Sequence, residues 1–369
     1  LKIYNTKKIE KLKKIEKYFK IFILLRLPLL LIAKLIRLFK KNRPEFLLSE
    51  GFLIGDAVLT RGITKAVSKL SSQNYYLGIP QSEYIFDDIP IQIIPNQWPW
   101  ANYNYKVSNL LKLLKVWLKI FLLQPKNILE LRGDFRSILF LYLTCPEILG
   151  GFPYTGGSFF LDKRVDTREL LNIEEHTRLL AKEFNLDYDE SYFIKKNKNP
   201  NTSTKKLGLS FSGSQILKRI PSSLAEIILN KLIDKKNLEL VYIVSPQDHF
   251  YFENKNLILS KVHKVLENLS FKEYLSELEN LNFYIGMDSG GAHLVSMHST
   301  PSLIFYNTNF ARLTKPMGNP NLLTLETEEE LNCRPCDGVH CVHKEYLYCL
   351  KSIQKSKLET CLEKLFSYD

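Results

Sequence analysis

The chain has 369 residues, 45% of them hydrophobic, enough to fill the cores of two domains and too apolar for a disordered or fibrous protein. Its formal net charge of +12 is confined to one end: residues 1–43 carry fourteen Lys/Arg against two Glu, so the rest of the chain is neutral and has no nucleic-acid signature. Residues 1–44 pair a lysine-rich half with a leucine-rich half. Arg26, Lys34 and Arg37 break the apolar run and Pro28 would bend it, so it falls short of the ~18–20 apolar residues of a membrane span. A secretory signal fits the charged start, but more basic residues, and no small-residue cleavage site, follow the apolar part. The segment reads as a basic amphipathic helix lying in the interface of an anionic membrane.

After it, the runs "FLLSEG", "NYYLGIP" and "NILELRGD" read as strands leaving into polar loops. Helical patterns follow the first, at Val58 to Val67, and the last, at "FRSILFLYLTC". Between them "LLKLLKVWLKIFLL" (110–123) reads as a core helix with Lys112, Lys115 and Lys119 on a solvated stripe. Residues 194–206, "IKKNKNPNTSTKK", lack apolar periodicity and form the linker. Beyond it the alternation restarts: strand "KLGLSFSGS", helix "PSSLAEIILNKLI", strand "LELVYIVS", a helical region near 249–268, strand "NFYIGMDS", helix "GAHLVSMHS" and strand "PSLIFY". Strands alternating with helices predict two doubly wound α/β domains with a cleft between them, ligands binding beyond the carboxyl ends of the strands. The expected divisions are a membrane-interface helix at 1–44, a first domain at 45–193, a linker at 194–206, a second domain at 207–345 and a C-terminal helix at 346–369.

Three loops at strand ends carry chemistry. In "FLIGDAVLT", Asp56 beside Gly55 can act as a general base on an acceptor hydroxyl, or cap a helix. In "SFSGSQILKRIP", hydroxyls and backbone N–H groups precede Lys218 and Arg219, which suits a diphosphate or leaves a solvated cationic pair. In "GMDSGGAH", an acid, a hydroxyl and two glycines lead into a helix, the pattern of a phosphate cradle or of an ordinary strand-to-helix turn. Arg132 and Arg136 of "LRGDFR" are candidate grips for an anionic acceptor, with surface salt bridges as the alternative. Near the C-terminus "CRPCDGVHCVHKEYLYC" brings Cys333, Cys336, Cys341 and Cys349 close to His340 and His343, the makings of a structural zinc site or of locally packed thiols. With Cys145 the only cysteine ahead of that run, the chain is expected in a reducing compartment.

Taken together, "IGDAVLTRGI", "GLSFSGSQILKRIP" and "GMDSGGAHLVSMHSTPSLIFY", with "ELRGDFRSILFLYL", "GGFPYTGG" and His176 in "EEHTRLL", resemble glycosyltransferase family 9, the heptosyltransferases of lipopolysaccharide core assembly. The resemblance implies a GT-B fold of two Rossmann-like domains. It implies inverting, metal-independent transfer of a heptose from an ADP-sugar donor to a lipid-linked inner-core oligosaccharide, at the inner face of the cytoplasmic membrane. It casts Asp56 as the base. Lys218, with Ser212, Gly213 and Ser214, would stabilise the departing diphosphate. Asp288, Ser289, Gly290, Gly291 and His293 would hold the donor, Asp248 its ribose, and Gly55, Arg61, Arg132, Arg136 and His176 the acceptor. The chain departs from the family pattern at Gly62, where a proline is usual, at Ile220, where an aromatic is usual, and at "VSPQDHF", which replaces a Gly-rich turn. Transfer of another nucleotide-activated sugar, or non-catalytic sugar-nucleotide binding at a membrane, are the alternative functions.

Overall fold

Short apolar runs flanked by turn residues become the strands of two parallel sheets, and the longer periodic runs become helices against their faces. The computed structural model describes residues 21–101, 105–165, 172–195, 204–246 and 248–368. The first twenty residues of the N-terminal segment, and 196–203 of the linker, lie outside the described residues. The chain divides into two units, Leu1–Tyr192 and Phe193–Asp369.

The first unit runs α1 (Ile21–Phe39), β1 (Phe46–Ser49), α2 (Ile54–Leu59), α3 (Arg61–Ser68), β2 (Tyr75–Gly78), α4 (Ser82–Ile85), β3 (Gln92–Pro95), α5 (Val107–Leu123), β4 (Asn127–Glu130), α6 (Phe135–Tyr142), β5 (Ile148–Gly151), β6 (Lys163–Arg164) and α7 (Ile173–Glu183). Its six-stranded sheet has the order β3-β2-β1-β4-β5-β6. Leu47, Leu77, Ile128 and Leu149 from four strands pack with Phe135, Ile138 and Leu141 of α6 as its core.

The second unit runs β7 (Lys205–Ser210), α8 (Ser222–Ile233), β8 (Leu238–Ile243), α9 (His249–Glu253), α10 (Lys255–Leu259), β9 (Lys264–Leu266), α11 (Phe271–Glu279), β10 (Phe283–Met287), α12 (Gly290–Ser296), β11 (Ser302–Phe305), α13 (Ala311–Thr314), β12 (Leu322–Leu325), α14 (Tyr348–Lys351) and α15 (Lys355–Phe366). The sheet order is β12-β11-β10-β7-β8-β9. Leu209, Leu240, Ile285 and Leu303 form its core with Ile228 and Leu229 of α8 and with Leu358, Leu362 and Leu365 of α15. Both sheets therefore share one plan: the chain runs outward to one side, then returns to the middle and continues to the other. The reversal falls between β1 and β4 in the first sheet and between β7 and β10 in the second, and polar loops leave the strands there.

The structure corrects three local expectations. The region near 249–268 is two short helices followed by an edge strand, since β9 pairs with β8 through Tyr242 and Val265. The short run "QIIP" is a strand that the sequence reading passed over, because its apolar content is too small to stand out from the surrounding loop. The helix at 107–123 forms, but it is not a core helix: only Ile120 and Phe121 are buried, while Leu111, Leu114, Leu118 and Leu122 stand about half exposed. Helical periodicity reports that a helix has an apolar face without reporting what covers it.

Candidate active site

In the first unit β1 ends at Ser49 and β4 at Glu130, which sit side by side in the sheet register. Asp56, in the first turn of α2, and Arg132, just after β4, meet there, with Asp56 Oδ1 2.5 Å from Arg132 Nη1. The other carboxylate oxygen, Asp56 Oδ2, is buried with no hydrogen-bond partner among the described residues. The Arg132 guanidinium lies over the Phe52 ring at 5.1 Å, which fixes it on the side of the carboxylate. Gly55 precedes Asp56 within α2.

Two acids that sequence reading missed lie beneath this pair. Glu50 is fully buried, its Oε1 accepting from Phe52 N at 3.2 Å, and burial, then the nearby Asp56 charge, push its pKa well above the usual carboxylate range. Glu130 accepts backbone N–H bonds from Gly133 at 2.5 Å and Arg132 at 3.3 Å, and burial raises its pKa to about 8. Burial favours the protonated form of both acids, and Glu130, at about 8, keeps its proton at neutral pH. The signal available in the sequence was an acid directly after an apolar strand, at "LLSE" and "ILE".

The remaining expected acceptor residues separate. Arg136 reaches back to Asp134, the cap of α6, through Nε at 2.9 Å and Nη2 at 2.6 Å. Its guanidinium lies 5.5 Å from the Trp100 ring centre, with about a quarter of the side chain exposed. His176 is enclosed against Phe152 and Tyr154, and burial lowers its pKa to about 4, which leaves the ring neutral. Arg61 is fully buried and holds Asp88 at 2.8 Å and the Ile85 carbonyl, so it braces α3 against the turn after α4.

In the second unit the loop after β7 folds back on itself, with Gly213 N donating to Lys218 O at 2.6 Å and Ile220 N to Phe211 O at 3.0 Å. That turn carries Lys218 to the end of β10, where Nζ lies 2.7 Å from Asp288 Oδ2. A side chain at Gly213 would press on the Lys218 stem, so glycine keeps this approach open. Ser212 is buried, Ser214 exposed, and Ser289 precedes the start of α12 at Gly290. Gly291 and His293 lie within α12, and a side chain at Gly291 would strike the Tyr274 hydroxyl. The Asp248 carboxylate is fully buried and caps α9, accepting from Tyr251 N at 2.9 Å and Tyr242 OH at 3.2 Å.

The cysteine-rich segment braces the Lys218 loop: Leu217 N donates to Gly338 O at 3.1 Å, and Asn307 Nδ2 to Leu217 O at 2.5 Å. Cys336 N in turn donates to Thr308 O at 2.9 Å. Cys333, Cys336, Cys341 and Cys349 line one small cavity with His340 and His343. Burial raises the thiol of Cys336 and pushes that of Cys349 to about 11. Among the described residues no three His, Cys, Asp or Glu side chains stand where they would hold a metal ion.

Each sheet thus presents a carboxylate–cation pair at its own point of reversal: Asp56–Arg132 on one, Lys218–Asp288 on the other. A family profile described as Glycosyltransferase family 9 (heptosyltransferase) matches residues 124–347. The chain belongs to that family. It is a glycosyltransferase. Its fold is that of GT-B heptosyltransferases of known structure. The E. coli heptosyltransferase WaaC solved with ADP is 15% identical, aligns over 76% of this chain and 92% of its own, and gives a TM-score of 0.63. E. coli ADP-heptose LPS heptosyltransferase II is 14% identical over 87% and 98%, with a TM-score of 0.63. A family 9 glycosyl transferase from Veillonella parvula is 12% identical over 88% and 97%, with a TM-score of 0.67. No curated protein sequence matches this transferase.

Proposed function

We propose that this family 9 transferase moves a heptose, with inversion at the anomeric carbon, from ADP-heptose to an inner-core sugar of a lipopolysaccharide or lipooligosaccharide at the inner face of the cytoplasmic membrane. The observation that carries the reading is the Asp56 carboxylate, one oxygen on Arg132 and the other enclosed and without a hydrogen-bond partner among the described residues. An acceptor hydroxyl would supply the missing partner. Asp56 would take its proton as the hydroxyl oxygen forms a bond to the anomeric carbon and the bond from that carbon to the β-phosphate oxygen breaks. Arg132 holds the Asp56 carboxylate in place, and Arg136 offers a second cation to an anionic acceptor.

Charge then builds on the departing nucleoside diphosphate. Lys218 is the cation suited to receive it, exchanging some of its hold on Asp288 for the phosphate, with Ser212, Gly213, Ser214 and the Ser289 to His293 segment around it. The WaaC neighbour was solved with ADP and with ADP-2-deoxy-2-fluoro heptose, which supports an ADP-sugar as the donor here.

Asp56→Asn removes the base and keeps the side-chain shape. Transfer from ADP-heptose to a purified deep-truncated acceptor is expected to fall by about 10²–10⁴-fold, with donor binding by calorimetry unchanged. A variant with full turnover, or a product with retained anomeric configuration by NMR, overturns the assignment.

A further inference from the structure

Helix α1 is inside out for a helix in water. Its arginines turn toward the body: Arg26 lies 4.0 Å from the Tyr142 ring centre and donates to Pro146 O at 3.4 Å. Arg37 donates through Nε to Gln124 Oε1 at 2.7 Å and through Nη2 to Cys145 O. Just past the helix, Lys40 donates to Leu122 O at 2.9 Å and Arg43 to Gln124 O at 2.7 Å, while Ala33 packs on Phe121 and Cys145. The helix is therefore tied firmly to the end of α5. Its opposite face is left to solvent and is almost wholly apolar, with Leu24 64%, Leu31 65%, Leu38 77% and Phe39 86% exposed.

The neighbouring α5 continues this face. Val107, Leu111, Leu114 and Leu118 are 48–73% exposed along one stripe, and Lys112, Lys115 and Lys119 follow its edge at helical spacing. Neither helix contains an acidic residue. Lys40, Lys115 and Lys119 converge on an open groove floored by Leu118 and Leu122. Isolated exposed leucines are ordinary on a protein surface, but two adjoining helices that expose this many mark a contact surface. Among the described residues no helix is long and apolar enough to cross a membrane, so the face lies on its partner rather than through it.

We propose that α1 and α5 together form one membrane-docking face, the leucines entering the acyl boundary of a bilayer and the lysines meeting anionic phospholipid headgroups. The charge argues for lipid over a second copy of the chain, since a two-fold contact would set these lysines against each other with no acid to pair them. This deepens the membrane-side reading above, in which only residues 1–44 approach the lipid. Its test is vesicle binding, which a failure of the transferase assignment would leave untouched.

The experiment is flotation of the full chain with phosphatidylcholine vesicles, with and without phosphatidylglycerol. The unmodified chain is expected to float with the anionic vesicles and to bind less as salt rises. Leu111→Glu with Leu118→Glu should lower partitioning at least tenfold while circular dichroism and the melting temperature stay those of the parent, because both positions are exposed. Lys112, Lys115 and Lys119 all changed to Gln should lower binding to anionic vesicles by roughly 10- to 100-fold and leave binding to neutral ones unchanged. Variants of α5 that float like the parent overturn the joint face. So does a parent chain that ignores vesicles and sediments as a dimer split by the same leucine changes, which would give the surface to a second copy.

Discussion

Glu130 shows what a single enclosed side chain contributes. It ionises near 4.5 in an unfolded chain and at about 8 in the folded one, because burial disfavours the charged form. Between those values the folded state holds a proton that the unfolded state has released. Its contribution to stability therefore falls as pH rises through that window and is flat above it. Glu130→Gln keeps an acceptor for Gly133 N and has no charge to bury. Its melting temperature should exceed the parent's above pH 8, and the gap should close as the pH falls toward 4.5; a gap that does not change with pH sinks the reading. At this scale the sequence exposed Asp56, Lys218 and Asp288 as chemistry-bearing residues, through their place in Gly- and Ser-containing loops. It did not expose Glu50 and Glu130, whose pKa values are raised by burial. Nor did it show what Arg61 and Asp248 hold, because their partners Asp88 and Tyr242 lie on other elements.

Helices α3 and α7 settle why Gly62 stands where the family pattern has proline. Tyr188, past the end of α7, donates to Glu174 at 2.6 Å and lays its ring and hydroxyl where any side chain at Gly62 would have to go. Gly62→Ala should destabilise the chain by about 1–3 kcal/mol, read as a lower urea midpoint at unchanged slope. An unshifted midpoint would mean that Tyr188 moves aside freely. Periodicity predicted most strand and helix positions, since the alternation of short apolar runs with amphipathic ones is local. The failures were short strands, the edge strands β3, β6, β9 and β12 and the interior β5, whose few apolar residues do not stand out from the loops beside them, and α5, which turned out to carry its leucines outward.

At the scale of the whole chain, two sheets of the same strand order each bring an ion pair to the strand ends where the order reverses. A ligand that binds only the folded chain stabilises it by mass action, about 2.7 kcal/mol at one hundred times its Kd. Among ADP, UDP, GDP and CMP, ADP should raise the melting temperature most. A larger rise with another nucleotide would keep the transferase and replace the donor, and no rise with any would count against a nucleotide-sugar donor. The α/β alternation, the three loop motifs and the basic, leucine-rich N-terminus are properties of neighbouring residues, and the sequence alone determined them. Which carboxylate keeps an unpaired oxygen, which arginine is enclosed, how Lys218 finds Asp288 and which way the leucines of α1 and α5 face were decided by the tertiary structure. Burial and charge pairing are created by residues distant in the chain, and they exist only once the sheets have formed.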